Sequence, residues 1–150
     1  MVPPGFAEVF VTLMGLCVGS FLNVCIHRLP LKQSVVRPPS RCPNCGNLLR
    51  WFDNIPILSY AVLGGRCRAC RNPISLQYPI VEAVTAALFL LHFWVLGPTP
   101  LFAVRVVFAC ALLVLFMIDL EHQILPDKIT LPGIVAGFAC SWFLPPGPLM

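Results

Sequence analysis

Long uninterrupted runs of apolar residues limit most strongly how this chain can fold. Four such segments occur, at residues 6–26, 79–96, 101–118 and 129–144. The first three approach the roughly 20 apolar residues that a helix needs to cross a bilayer. The fourth is shorter and is interrupted by Pro132, Gly133 and Gly137. Because backbone polar groups in lipid must be satisfied within the segment, we predict an all-α polytopic membrane protein with about four transmembrane helices.

The composition agrees with a membrane protein. Hydrophobic residues make up 58% of the 150 positions and charged residues 11%, against roughly 45–50% and about 25% in soluble domains. Residues 1–5 carry no Lys or Arg, and the first apolar run is too long for the core of a signal peptide. We therefore interpret the first segment as a retained membrane helix.

Positive charge is concentrated in one loop. Residues 27–78 carry eight Lys and Arg side chains against a single acid, Asp53, which gives a net charge of +7. Basic loops of membrane proteins face the cytosol. We therefore interpret this loop as cytosolic rather than as a nucleic-acid-binding segment, and we expect no nucleic-acid partner. The N-terminus is then periplasmic, residues 119–128 return to the cytosolic face, and residues 145–150 end outside.

The same reasoning divides the chain into three parts. Residues 1–26 form the first transmembrane helix, residues 27–78 a cytosolic loop domain, and residues 79–150 the remaining helices. No internal repeat is evident in the sequence.

Four cysteines in the basic loop have the spacing of a metal site. Cys42 and Cys45 form one C-x2-C pair, and Cys67 and Cys70 form a second pair after 21 intervening residues. Two such pairs complete the tetrahedral S4 site that Zn2+ prefers. Two disulfides or four free thiols are the alternatives, but stable disulfides are rare in the cytosol. We predict a closed structural zinc site, and packing roles for the cysteines at positions 17, 25, 110 and 140.

Acidic residues follow the third apolar run. Asp119 ends it, Glu121 and His122 come next, and Asp127 follows Pro126. Ionisable groups at the end of a spanning helix either point to water or mark a site, and both interpretations remain open. If such a carboxyl group is half-buried at the membrane boundary, its pKa is raised, which suits it to proton transfer.

An aspartic protease needs two neighbouring carboxyls that share a proton. Glu82, Glu121 and Asp127 are the candidates for a partner of Asp119, but each has a simpler explanation. Glu82 and Asp127 lie near predicted helix starts, where the free amides of the helix stabilise a carboxylate, and Glu121 is a solvated interfacial residue.

Several ordered blocks of sequence resemble one known family. They comprise Gly-Ser-Phe-Leu-Asn-Val-Cys-Ile-His-Arg-Leu-Pro at 19–30, Asn-Ile-Pro-Ile-Leu-Ser-Tyr at 54–60, Gly-Gly-Arg-Cys at 64–67, Tyr-Pro-Ile-Val-Glu at 78–82, and Ile-Asp-Leu-Glu-His-Gln-Ile-Leu-Pro-Asp at 118–127. Together with the cysteine pairs, they look like the type IV prepilin leader peptidases.

That resemblance implies a multi-pass aspartic endopeptidase of the bacterial inner membrane. Members of this family remove the leader of type IV prepilins and type II secretion pseudopilins, and many also methylate the new N-terminus with S-adenosylmethionine. The first catalytic aspartate of the family maps onto Asp119. The second lies in a G-x-G-D motif that is absent between residues 119 and 150. We therefore expect the chain to be the N-terminal portion of such an enzyme, with little or no peptidase activity alone.

Two further residues have open interpretations. Gly65 is our candidate contact for S-adenosylmethionine, but we favour its interpretation as a turn glycine with positive φ beside the second cysteine pair. Asn23 in the first helix bonds across helices or satisfies its own backbone, and we favour a packing role.

Two alternatives to a peptidase remain for the chain: a non-catalytic membrane scaffold that holds a partner through its zinc loop, and a methyltransferase-only module. The sequence leaves the oligomeric state undefined.

Overall fold

The structure is a computed structural model that describes residues 5–37 and 39–143. Its described part is helical, with no strand beyond two isolated bridges in the loop. The predicted outer tail at 145–150 and the last residue of the fourth apolar segment lie outside the described residues. The elements are α1 (Phe6–Arg28), a 3-10 helix (Trp51–Asn54), α2 (Leu58–Val62), α3 (Gln77–Leu96), α4 (Pro100–His122) and α5 (Asp127–Phe143).

Three of these helices are long and apolar enough to cross a membrane. They are α1, α3 and α4, with mean hydropathies of 2.2, 1.9 and 2.8. α5 has 17 residues and contains Pro132, which leaves it below the usual length of a spanning helix. The all-helical prediction is confirmed, and a fourth span at α5 stays a prediction.

α1 and α3 approach each other closely at two glycines. A Cβ atom on Gly15 would lie 2.7 Å from the Cα of Ala86, and one on Gly19 would lie 2.7 Å from the Cα of Glu82. Glycines four residues apart let the backbones of two membrane helices touch. This G-x-x-x-G pattern is visible in the sequence, but our sequence analysis did not use it.

The best-buried part of the bundle lies next to the loop. Ile26 near the end of α1, Val81 near the start of α3 and Ile118 near the end of α4 are each at most 1% exposed. Thr85 is fully buried, and its hydroxyl donates to the carbonyl of Val81 at 2.7 Å, so it leaves no unpaired polar group in the core. The ends of α1, α3 and α4 beside the loop are therefore closely packed against one another.

The connection between α3 and α4 is tight. Gly97 ends α3 with φ 60°, and the Thr99 hydroxyl accepts a hydrogen bond from the backbone N–H of Phe102 at 3.2 Å. Pro100 occupies the first turn of α4, where its missing N–H costs nothing. The turn sends α4 back, so the end of α4 lies beside the loop.

Candidate metal centre and adjoining cavity

The two cysteine pairs lie in two loops of the same construction. The N–H of Cys42 donates to the carbonyl of Asn47, and the N–H of Cys67 donates to the carbonyl of Asn72, both at 2.9 Å. Each loop is closed by an antiparallel bridge. The shared sequence is Arg-Cys-x-x-Cys-x-Asn, at 41–47 and 66–72. We call these two segments the first and the second knuckle. They form a short internal repeat, so our statement that the chain lacks one was wrong.

The residue after the second cysteine turns each knuckle through the left-handed region. It is Gly46 with φ 68° in the first knuckle and Arg71 with φ 60° in the second. Glycine adopts this conformation freely, whereas a residue with a Cβ does so at a cost. The conformation places the N–H of Gly46 2.9 Å from the carbonyl of Cys42, and that of Arg71 3.0 Å from the carbonyl of Cys67.

The four thiols converge as the spacing predicted. The Sγ atoms of Cys42, Cys45, Cys67 and Cys70 all lie within 4.8 Å of one another, and those of Cys42 and Cys70 are 3.8 Å apart. Tetrahedral Zn–S bonds of about 2.3 Å place sulfur atoms about 3.8 Å apart. All four cysteines are free rather than disulfide-bonded. The group is suited to a metal ion such as zinc.

Hydrogen bonds around one thiol favour its deprotonated form. The backbone N–H of Asn72 and the side chain of Asn44, 3.7 Å from Sγ, lower the pKa of Cys70 to about 6. Metals bind thiolates rather than thiols. The backbone therefore favours the thiolate of Cys70. At Cys45 the backbone hydrogen bond of Asn47 acts in the same direction, but desolvation and the bonds to the other three thiols outweigh it and raise the pKa of Cys45 to about 11.

An ion pair links the 3-10 helix to the second knuckle. Arg68 donates to Oδ1 of Asp53 through Nε at 2.9 Å and through Nη2 at 2.8 Å. The Asp53 side chain is only 6% exposed, and its other oxygen accepts from the N–H of Arg50 at 3.3 Å. The guanidinium of Arg68 also lies 5.3 Å from the centre of the Phe52 ring. Asp53, the one acid of the basic loop, thus connects the 3-10 helix to the second knuckle.

Gly65 is buried just before the second knuckle. Its φ is 66°, and a Cβ there would lie 2.7 Å from the hydroxyl oxygen of Tyr60. Its carbonyl accepts from the N–H of Ile74 at 2.7 Å. These contacts give a structural reason for glycine, which is the turn interpretation. Contact with S-adenosylmethionine stays a prediction, and Gly65 is not among the residues that line the neighbouring cavity.

A cavity of about 790 Å³ lies between the knuckles and the helix ends. Its volume falls within the roughly 300–1,000 Å³ of small-molecule sites. The lining combines aromatic, basic and acidic side chains, among them Tyr60, Tyr78, Arg28, Arg50, Glu82 and Glu121. Because the lining includes His27 of α1, Tyr78 of α3 and Glu121 of α4, the loop and the end of α4 share one end of the bundle, as predicted.

Asn23 lies at the base of this cavity. Its side-chain amide donates to the carbonyl of Gly19 within α1 at 3.3 Å and to the carbonyl of Tyr78 in α3 at 3.0 Å. Both interpretations considered from the sequence are therefore realised. Asn23 is 5% exposed, and it fixes the first turn of α3 against α1.

Glu82 differs from its sequence interpretation. α3 begins at Gln77, two residues earlier than predicted, so Glu82 lies beyond the free amides of that helix start. Its Oε2 instead accepts a hydrogen bond of 2.7 Å from the N–H of Ile57 in the loop. Glu82 is 7% exposed, so it is a buried carboxylate that joins α3 to the loop.

Asp119 lies in the last turn of α4, which extends past the apolar run to His122. Of the two positions that the sequence left open, Asp119 takes the exposed one, because Ile118 occupies the buried position. The Asp119 side chain makes no hydrogen bond or ion pair within the described residues and does not line the cavity. Glu121 lies 3.8 Å from His122, and Asp127 is in the first turn of α5, as predicted.

Comparison with known proteins places these features in a family. Residues 13–96 match the model described as the bacterial peptidase A24 N-terminal domain, and residues 106–150 match that of the type IV leader peptidase family. The chain therefore belongs to the bacterial type IV leader peptidase family. The knuckles, the cavity and Glu82 fall in the first match, and Asp119 falls in the second. No solved structure matches the chain.

Curated relatives agree with this family. The chain is 50% identical to the prepilin leader peptidase/N-methyltransferase of Myxococcus xanthus, over 93% of this chain and 41% of that protein. It is 42% identical to that of Klebsiella pneumoniae, over 85% and 59%. It is 39% identical to the type 4 prepilin-like proteins leader peptide-processing enzyme of Escherichia coli, over 93% and 58%. The chain spans about half the length of these relatives.

Proposed function

We propose that this type IV leader peptidase family member forms the metal-bearing and first-acid part of a membrane prepilin peptidase. Its substrates are the leaders of type IV prepilins and type II secretion pseudopilins. The position of Asp119 carries the proposal: it is an exposed carboxylate on the last turn of an apolar helix, within the segment that matches the family. A carboxylate at that level can reach both water and a peptide bond near the membrane surface.

In this mechanism Asp119 acts with a second carboxyl. The ionised member of the pair takes a proton from water as the water oxygen attacks the scissile carbonyl carbon. The protonated member polarises the carbonyl oxygen, and a proton then passes to the leaving amine as the C–N bond breaks. Asp119 has no hydrogen-bonded partner among the described residues. We propose that the second carboxyl comes from outside them.

Zn2+ is the metal we assign to the four thiols, in a structural role. Four protein ligands fill the tetrahedral coordination of Zn2+ and leave no open position for water or substrate. Folding of the knuckles would then depend on the ion. The basic loop and the knuckles would lie on the cytosolic side of the bacterial inner membrane, with the N-terminus in the periplasm.

The cavity is our proposed location for methyl transfer. Bound S-adenosylmethionine supplies an electrophilic methyl group to the new N-terminal amine. The cavity fits this molecule in size, and it offers both signs of charge for an amino acid moiety and the rings of Tyr60 and Tyr78 for a base. Asp119 does not line this space, so cleavage and methylation would use different surfaces.

A hybrid enzyme tests the peptidase assignment. In it the present chain replaces the aligned segment of the Myxococcus xanthus relative, and prepilin is supplied in membranes. Leader removal is read from the size of the pilin, and methylation from its intact mass. We expect Asp119→Asn to slow cleavage by about 100-fold or more, in line with the loss of a general acid or base, and to leave methylation of a pre-cleaved pilin intact.

Asp127→Asn is the matched control, because it removes a neighbouring carboxylate at the start of α5. Its cleavage rate should stay near that of the unaltered hybrid. Equal cleavage by the Asp119→Asn hybrid would reject Asp119 as a catalytic residue. Methylation without cleavage in the unaltered hybrid would favour the methyltransferase-only alternative. A folded hybrid with neither activity would favour the scaffold.

A further inference from the structure

The contact between Glu82 and Ile57 joins the loop to the membrane bundle at a buried point. Glu82 lies on α3 opposite Gly19 of α1, where the two backbones touch. Its side chain is 7% exposed and accepts the N–H of Ile57 at 2.7 Å. A buried carboxylate requires such a donor, since an unpaired one is unfavourable.

Ile57 has an unusual backbone conformation. Its φ of 58° lies in the left-handed region, which a β-branched residue strongly disfavours. Its side chain is 36% exposed, so close packing of that side chain does not explain the conformation. Three hydrogen bonds surround it: the N–H of Leu58 donates to the carbonyl of Pro56 at 2.5 Å, the N–H of Ala61 donates to the carbonyl of Ile57 at 3.0 Å, and the N–H of Ile57 donates to Glu82. Of these, the bond to Glu82 is the one that reaches the membrane helices.

The conformation of Ile57 sets the direction of α2, because Ile57 is the residue that precedes this helix. On α2, Ser59 and Tyr60 line the cavity. Tyr60 also lies against Gly65, and its hydroxyl is 3.4 Å from the carbonyl of Ile74, so it contacts residues on both sides of the second knuckle. A continuous set of contacts therefore runs from α3 through α2 to the metal ligands.

We propose that Glu82 is a positioning residue that holds α2 as the wall of the cavity and ties the metal knuckles to the membrane helices. The carboxylate acts as a hydrogen-bond acceptor for the Ile57 N–H. This hydrogen bond, which we call the tie, does not depend on which reaction the protein performs. Its consequence for methyl transfer rests on the proposed function.

Hydrogen exchange of the intact chain in detergent micelles, with zinc bound, tests the tie. We expect Glu82→Ala to speed exchange across residues 57–63 by at least about tenfold, because the acceptor is lost. Glu82→Gln keeps a carbonyl acceptor and should stay within about threefold of the unaltered chain. Peptides covering the knuckles at 41–47 and 66–72 should keep their rates. Unchanged exchange in Glu82→Ala, or equal acceleration in Glu82→Gln, would overturn the proposal.

A loop variant covers the case in which Glu82→Ala fails to fold. Ile57→Pro removes the donor and cannot adopt a φ of 58°, while Glu82 remains in place. It should accelerate exchange across residues 58–63 as Glu82→Ala does, and protected amides there would overturn the proposal. Glu121→Gln is the control, because Glu121 lines the same cavity but does not bond to α2.

The hybrid enzyme separates the tie from the proposed chemistry. If Glu82→Ala loosens α2 and weakens binding of S-adenosylmethionine while Glu82→Gln restores both, the positioning role extends to methyl transfer. If α2 loosens but methylation is unchanged, the tie stands and the cavity is not the methylation site. Loss of methylation in both variants with exchange unchanged would overturn positioning in favour of direct contact with substrate.

Discussion

The knuckle region and the end of α4 satisfy their polar groups in opposite ways. In the knuckles, thiols, backbone amides and the Asp53–Arg68 pair are matched by partners within about thirty residues of chain, from 41 to 74. At the end of α4, Asp119 is exposed and has no partner among the described residues. This contrast fits the roles that we propose: a structural metal site is completed by its own neighbours, whereas a carboxylate that acts in hydrolysis must stay free for water and substrate.

Of the changes considered, removing a metal ligand should have the largest effect, because it should unfold the knuckle region. Cys67→Ser leaves three thiols, and structural zinc commonly contributes about 10 kcal/mol or more to the folding of small domains. We expect loss of zinc, measured by elemental analysis, and rapid proteolysis between residues 41 and 74. Cys17→Ser changes an exposed cysteine of α1 and should keep both properties. Full zinc content in Cys67→Ser would contradict a four-thiol site.

Disturbing the contact between α1 and α3 should have the next largest effect. In Gly19→Ala the new methyl group would lie 2.7 Å from backbone of α3, and such overpacking costs about 1–3 kcal/mol. A lower unfolding temperature in detergent should result. Gly133→Ala on α5 has no atom within 4 Å of its new methyl group, so it controls for glycine replacement in a helix. Equal stability of the two variants would argue against the close approach.

The smallest effect concerns Gly65 and its two interpretations. Gly65→Ala adds left-handed strain and a clash with Tyr60, whereas Gly64→Ala adds only the strain, because φ is 60° and nothing lies within 4 Å. Strain of this kind costs about 1–3 kcal/mol, so both should destabilise the loop and Gly65→Ala more so. If Gly65→Ala retains stability but loses binding of S-adenosylmethionine, the cofactor interpretation is correct.

The sequence predicted local chemistry better than it predicted tertiary pairing. The spacing of Cys42, Cys45, Cys67 and Cys70 was sufficient because each knuckle is built by adjacent residues. The partner of Glu82 was not predictable in this way, because its donor is 25 residues away and depends on the path of the loop. Asp119 was placed correctly at the helix end, but the sequence left open whether it faces water, since the rotation of α4 is set by Ile118 in the core.

The most direct test of the account measures both regions in one preparation. The 150-residue chain is purified from membranes, its zinc content is determined, and its cleavage of a prepilin is compared with that of its Asp119→Asn variant. We predict one zinc ion per chain in both proteins and little cleavage by either. Cleavage that is abolished by Asp119→Asn would contradict it, because a second catalytic acid would then lie within these residues.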